Sequence, residues 1–365
     1  MKILYFACID IDSESGVFKK IQRQADFWNK SGYETDIVIV SSKRNGLKAD
    51  GIIKIEPHSI FKYLQNYYIF KYVFRIYATR KTLAAVAPHK IDIIYTRQVF
   101  WYPGFVKFTS LAPTIVEVNN NDISAISLSN KLTRFFLAKA RKIYFSNVKG
   151  VVSVTKEVDK SYHRNIKLQI ISNSYEIPKN LSPKAPRPPK VIFMSTPNQP
   201  WQGVDKILLL ASYLNDYEFV ILGWDPSNFP NIPKNVLFKG FLSGKTLECE
   251  LASAGYAIGP LALHRKHMST TSSIKVGEFL ANNLPVILAY NETSIEGNFL
   301  CRIENIEANI NTVSVQKIAN FMNYWRLRDI DPTQLRKQID PSIIESKRLK
   351  FFNDILALST RNKNT

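Results

Sequence analysis

The sequence predicts an α/β protein made of two Rossmann-like, doubly wound domains facing a cleft. Three observations carry that prediction. Short apolar runs alternate with helical stretches, the alternation stops at a proline-rich segment over residues 178–189, and it then restarts with the same rhythm. The 365 residues exceed one ordinary core and suit two. A hydrophobic content of 45% leaves enough apolar surface to build a core in each half.

The elements follow in order. Residues 2–9 are a short apolar run and read as a buried strand. Gly16 follows, then a helical pattern over 17–31 with Val17, Ile21, Ala25 and Trp28 on one face and Gly32 as its stop. Residues 35–40 are the next strand, which completes a βαβ unit. Residues 91–95, 114–118 and 150–154 read as further buried strands, and Ile170-Ile171 as a short one. Five prolines, at 178, 183, 186, 188 and 189, mark a linker. Beyond it, residues 191–194, 218–222, 236–239, 256–258 and 285–288 read as strands. The chain therefore divides into a first domain over 1–175, a linker over 176–190 and a second domain over 191–340. A closing amphipathic helix over 341–365 can pack back on the first domain. Open parallel sheets bind ligands beyond the carboxyl ends of their strands, so the facing cleft is the expected site.

The net charge is +19 and uneven. Residues 1–175 hold 27 Lys+Arg against 13 Asp+Glu, the remainder 22 against 17. An anionic partner is expected to meet the first half. Cys8, Cys249 and Cys301 have no motif spacing and read as reduced thiols, with no metal site among them. The apolar start is too short for a signal segment, and no run approaches the roughly 18–20 apolar residues of a membrane span. A cytoplasmic chain, soluble or peripheral on a membrane, is expected.

Chemistry concentrates between residues 256 and 288. A strand ends at Gly259-Pro260, and a polar loop follows with His264, Arg265, Lys266 and His267. Ser272 or Ser273 can cap the helix that runs on through Ile274 and carries Lys275 and Glu278, and Pro285 leads into the next strand. A helix start offers free N–H groups and a partial positive charge to a diphosphate. Lys275 adds a full charge, and Arg265 or Lys266 another. Glu278, one turn on, can accept both hydroxyls of a ribose. Taken alone, Lys275 and Glu278 also fit an ordinary solvated i, i+3 pair; the strand, loop and Pro285 in register favour the binding reading.

The run Lys275-Val-Gly-Glu278-Phe-Leu-Ala-Asn-Asn-Leu-Pro285-Val-Ile resembles the donor-binding stretch of retaining family-4 glycosyltransferases of the GT-B fold. Among them it is most like the bacterial surface-polysaccharide members, whose run is Lys-x-x-Glu-Tyr-Leu-Ala-x-Gly-Leu-Pro-Val-Ile. The resemblance extends over nearly the whole chain and is weak in the first domain. It implies an acceptor domain followed by a nucleotide-sugar donor domain, and a hexosyl transfer with retention of configuration. It implies a UDP- or GDP-sugar co-substrate, no cofactor and no metal. The acceptor it implies is a saccharide or lipid-linked oligosaccharide. The sequence departs from the family at one point. The family has two glutamates with seven residues between them; Glu278 matches the second, and Thr270 stands where the first would be. In the family that first glutamate lies near the donor sugar ring.

Further candidates come from both halves. Trp201, Gly203 and Lys206 follow the first strand of the second domain, where the family grips the diphosphate. Trp201 reads equally as a cleft-lining ring or as core packing. Gly203 allows a close backbone approach. In the first domain Gly16 matches a glycine-containing loop near the transferred sugar, and Asn119 a position often occupied by histidine. Asn119 can hydrogen-bond a sugar hydroxyl, and equally reads as part of a turn-forming loop. Arg265, Thr270 and Asn119 are taken as the catalytic candidates.

Residues 57–91 contain no acid, yet hold Lys62, Lys71, Arg75, Arg80 and Lys81, and eight aromatics crowd 61–77. Residues 123–156 are also acid-free, with Lys131, Arg134, Lys139, Arg141, Lys142 and Lys149 around Phe135-Phe136. Basic and aromatic faces suit an anionic bilayer surface on the inner side of the cell membrane; core aromatics beside solvated cations are the alternative. No nucleic-acid-binding signature is visible, so no nucleic-acid partner is expected. Two rival functions remain: a non-catalytic GT-B-fold protein that binds a nucleotide sugar or partner, suggested by Thr270, and an epimerase or phosphorylase, disfavoured by the basic first half.

Overall fold

The computed structural model describes residues 1–10, 15–42, 52–64, 67–86, 90–99, 101–119, 131–157 and 166–361. The chain forms two compact units, Met1–Ile171 with Ile344–Thr365, and Ser172–Ile343.

The first unit is a seven-stranded parallel sheet. Its strands are β1 (Lys2–Cys8), β2 (Glu34–Val40), β3 (Ile52–Ile55), β4 (Ile93–Arg97), β5 (Thr114–Val118), β6 (Val148–Ser153) and β7 (Lys167–Ile170), in the order β3-β2-β1-β4-β5-β6-β7. Side chains alternate across β1 because the strand period is two. Ile3, Tyr5 and Ala7 pack on one face with Ile21, Ala25 and Trp28 of α1 (Gly16–Lys30). Leu4, Phe6 and Cys8 pack on the other with Phe74 of α2 (Tyr68–Val86), Phe105 and Phe108 of α3 (Phe105–Thr109) and Tyr144 of α4 (Lys131–Tyr144). The Asp12-Ser-Glu segment of the glycine loop and Asn120–Asp122 lie outside the described residues. Gly16 opens α1 behind Ser15, whose hydroxyl accepts the Val17 N–H at 3.3 Å.

The second unit repeats the plan with six parallel strands. They are β8 (Lys190–Met194), β9 (Glu218–Leu222), β10 (Val236–Phe238), β11 (Tyr256–Ile258), β13 (Val286–Leu288) and β15 (Leu300–Arg302), in the order β10-β9-β8-β11-β13-β15. A short pair, β12 (Thr270–Thr271) and β14 (Asn291–Glu292), sits apart from the main sheet. The helices are α5 (Val204–Tyr213), α6 (Gly244–Ser253), α7 (Ile274–Ala281), α8 (Thr312–Trp325) and α9 (Pro332–Ile339).

The proline-rich stretch belongs to this second unit and is anchored there by buried Arg187. Arg187 Nε donates to the carbonyls of Trp325 and Arg328, both at 3.1 Å, and Nη2 to Asn283 Oδ1 at 2.8 Å. The last helix, α10 (Pro341–Arg361), places Ile344, Leu349, Phe351, Phe352 and Ile355 in the core of the first unit. Its buried Arg348 donates to Tyr95 Oη and to Glu345, both at 2.8 Å.

Candidate functional site

Strand order reverses direction between β8 and β11, and in such sheets ligands dock beyond the carboxyl ends at that point. Two loops leave those ends, 195–203 after β8 and 259–273 after β11. They lie against one another: Leu261 N–H donates to the Gln202 carbonyl at 3.1 Å, and Ala262 N–H to that of Trp201 at 3.3 Å. Gly203 makes this approach possible. Its φ is +75°, and a Cβ there would meet Leu261 Cβ at 3.1 Å and Ala262 N at 3.2 Å. The close backbone approach expected at Gly203 is thus made by the protein's own second loop.

Lys275 enters from the first turn of α7, behind Ser273 at the N-cap. Its Nζ donates to Gln202 Oε1 at 2.8 Å and stands 5.0 Å from the ring centroid of buried Phe193. Desolvation lowers this ammonium to about 7, against a smaller opposing effect of Glu278. An arriving anion would restore its charge. Lys266 lies 4.1 Å over the Trp201 ring, so half-buried Trp201 supports a cation on its face. Desolvation lowers the Lys266 ammonium as well.

Arg265 has a different setting. Its Nη1 and Nη2 form a bidentate pair with Asp205 at 2.9 and 2.7 Å, and Nη1 also reaches the Pro200 carbonyl at 3.0 Å. Nε donates to Glu307 at 3.1 Å, and Nη2 donates to Glu307 as well. All five guanidinium N–H groups are thereby used within the protein. Glu307 also gathers His264, whose Nε2 lies 2.7 Å from Oε2, and the buried Lys206 ammonium, which donates to its carbonyl and carboxylate. Arg265 and His264 hold the Glu307 carboxyl well below the usual range. Arg265, His264 and Lys206 are therefore engaged within the protein by Asp205 and Glu307, while Lys275 meets Gln202 and Lys266 the Trp201 ring.

Thr270 pairs with Asn291 in the β12–β14 ladder, and Thr271 with Glu292. Glu292 is a residue that sequence reasoning missed. Its buried carboxylate accepts the Ser273 N–H at 3.3 and 3.2 Å and the Tyr290 hydroxyl at 2.9 Å. Nothing in the local sequence marks it, because the Ser273 N–H reaches it only through the short ladder.

In the first unit, Asn119 follows β5 at the matching edge of that sheet. Its Nδ2 donates to Glu117 Oε1 at 2.8 Å. Glu117 is fully buried and also accepts from Lys20 at 2.8 Å, Tyr95 at 2.7 Å and Arg97 at 3.1 Å. Burial alone would raise this carboxyl; Lys20, Arg97 and Arg348 outweigh it and hold the group well below its ordinary value. Among the described residues, no group of three or more His, Cys, Asp or Glu side chains is placed to hold a metal ion.

Two doubly wound parallel units of like strand order in one chain define the GT-B fold class. Solved structures of that class match over almost the full length. Sucrose-phosphate synthase from Thermosynechococcus elongatus matches with a TM-score of 0.66 at 11% identity, over 98% of this chain and 99% of its own. An alpha-glucosyltransferase in complex with UDP-glucose and DNA matches with a TM-score of 0.66 at 13% identity, over 97% and 99%. A glycosyltransferase from Rickettsia africae ESF-5 matches with a TM-score of 0.59 at 16% identity, over 97% and 99%. No family model and no curated protein sequence matches the chain.

Proposed function

We propose that the chain is a retaining, hexosyl-type glycosyltransferase that uses a UDP- or GDP-sugar. The observation that carries this reading is Lys275, partly desolvated, at the start of α7 beside Gln202 and at the switch point of the second sheet. The donor diphosphate docks on the first N–H groups of α7 and on Lys275, with Lys266 flanking. Glu278 takes the ribose. As the bond from the sugar's anomeric carbon to the diphosphate breaks, charge grows on the leaving oxygen, and these fixed groups stabilise it without a metal. The acceptor hydroxyl bonds to the anomeric carbon on the same face and gives up its proton to the departing diphosphate. Asn119 Oδ1 accepts from a sugar hydroxyl, and Thr270 lies beside the transferred sugar. UDP-glucose in one structural neighbour and UDP in others support a nucleotide-sugar donor.

The acceptor in this reading is a saccharide on a lipid carrier, in surface-polysaccharide synthesis at the inner face of the cell membrane. Among the described residues no helix is long and apolar enough to cross a membrane. Ile60, Tyr63, Tyr67, Phe135 and Phe136 are exposed on the first unit, with Lys81 over Tyr77 and Lys139 over Phe135. Such surfaces dock to anionic lipid.

The test is a panel of nucleotide sugars offered with membrane extract and read by mass spectrometry. One donor should be consumed, and Lys275→Met should abolish its consumption. Neither binding nor consumption of any donor would reject the proposal. A second arm compares anionic vesicles with duplex DNA, because a structural neighbour was crystallised with DNA; preference for DNA would reject the lipid-linked acceptor. A non-catalytic binder is the second reading, favoured by Thr270. Donor binding without transfer in the wild type, and transfer gained by Thr270→Glu, would select it.

A further inference from the structure

Two of the buried carboxylates among the described residues have opposite surroundings. Glu117 faces Lys20 and Arg97 and is ionised. Glu292, 5% exposed, takes its hydrogen bonds from neutral groups: the Ser273 N–H, the Tyr290 hydroxyl, the Ser272 hydroxyl and the Thr293 N–H. A buried carboxyl whose partners are neutral is driven toward its protonated form. Its place matters because Ser273 is the N-cap of α7, immediately before Ile274 and Lys275. The pairing of β12 with β14 brings Glu292 beside Thr271, one residue from the carboxylate missing at Thr270.

We propose that Glu292 is a positioning residue for the donor diphosphate, holding the entry of α7 in register and standing neutral when an anion docks there. It does not touch the substrate. The inference rests on the donor reading above. Two like charges at one helix end cannot both be comfortably ionised, so diphosphate binding draws a proton from solvent onto Glu292. Burial sets this carboxyl at about 7 despite the hydrogen bonds from Ser273, Tyr290 and Ser272 that oppose the shift. A dianion beside it moves it higher. Donor affinity therefore falls as pH rises above 7. The charged and titratable groups on the elements packed around it are Lys275 and Glu278 of α7, Arg302 of β15 and Tyr290. The Tyr290 phenol is pushed far up by burial and stays neutral. Lys275 also takes up a proton on binding, so its share has to be separated.

The experiment is calorimetric titration of the full chain with UDP and GDP at pH 7.5, in two buffers of different ionisation enthalpy. Free Glu292 is roughly three-quarters ionised there. Glu292→Gln keeps the shape and the acceptor oxygen, and proton uptake should drop by up to about that fraction. Lys275→Met removes the remaining share and leaves the Glu292 share in place. Tyr290→Phe deletes a hydrogen bond that favours the ionised form, so the midpoint of the pH dependence should move up. This variant decides the matter if Glu292→Gln does not fold. Uptake unchanged in Glu292→Gln, or a midpoint unmoved in Tyr290→Phe, overturns the role of Glu292 alone. Failure of the wild type to bind either nucleotide overturns the donor reading with it.

Discussion

Replacing Lys20 by methionine should cost the first unit about 3 kcal/mol. Lys20 Nζ donates to Glu117 Oε1 at 2.8 Å, and neither side chain has appreciable contact with solvent. Removing one partner of such a pair leaves a charge the interior cannot hydrate, a loss of roughly 3–5 kcal/mol. The low end applies because Arg97, Tyr95 and Asn119 still donate to the same carboxylate, and methionine keeps the apolar stem. A unit of this size loses roughly 2–4 °C per kcal/mol, so Tm should fall by about 6–12 °C at pH 7. Thermal unfolding of the full chain, followed by calorimetry, reads this directly. The sign of the pH dependence follows from Glu117. Its folded value is depressed, so its stabilisation is full above the ordinary carboxylate range and is lost as pH falls below about 4. The gap between wild type and variant should therefore narrow in acid. The double variant Lys20→Met with Glu117→Gln removes the stranded charge and should be less destabilised than the sum of the single changes, by about 1–3 kcal/mol. A Tm within about 2 °C of wild type, with the same small gap at pH 4 and pH 7, would refute the reasoning.

Two further outcomes follow from the second unit. Lys275→Met should weaken UDP binding by roughly 10- to 150-fold at pH 6.5, the worth of one charge-assisted hydrogen bond. The deficit should shrink by pH 8.5, because the wild-type ammonium, set at about 7, has lost its charge there. Isothermal titration at the two pH values checks both, and a deficit that does not change with pH would point to packing over charge. Gly277→Ala should destabilise by about 1 kcal/mol although alanine favours helix. An added Cβ would meet Tyr175 Cβ at 2.9 Å, a contact that only a shift of α7 relieves. A higher Tm for this variant would mean the helix absorbs the methyl without moving.

What the sequence discloses and what it hides separate by distance along the chain. Buried strands such as 191–194 and 256–258 are legible because burial on both faces makes them continuous apolar runs. Three of the four edge strands of the two main sheets, β3, β7 and β15, are not, while the fourth, β10, is read at 236–239. β7 alternates exposed and half-buried residues, so Ile170-Ile171 locates only its end, and Ile52–Ile55 is interrupted by Lys54. Leu300–Arg302 is too short to carry a period. The same rule governs the site. Lys275, Glu278 and Ser273 share one helix start and are visible together. Arg265 looks like a ligand cation until Asp205 and Glu307, 60 and 42 residues away, and the Pro200 carbonyl occupy every N–H it has. Glu117 and Glu292 look alike as carboxylates near strand ends, yet one is charged and the other poised to be neutral. That difference is set by Lys20, 97 residues before Glu117, and by the neutral cap at Ser273, 19 residues before Glu292. Residue type announces which groups can carry charge. Only the partners the fold delivers decide which of them do: Arg265 is engaged by Asp205, Glu307 and the Pro200 carbonyl, whereas Lys275 donates to the neutral amide of Gln202.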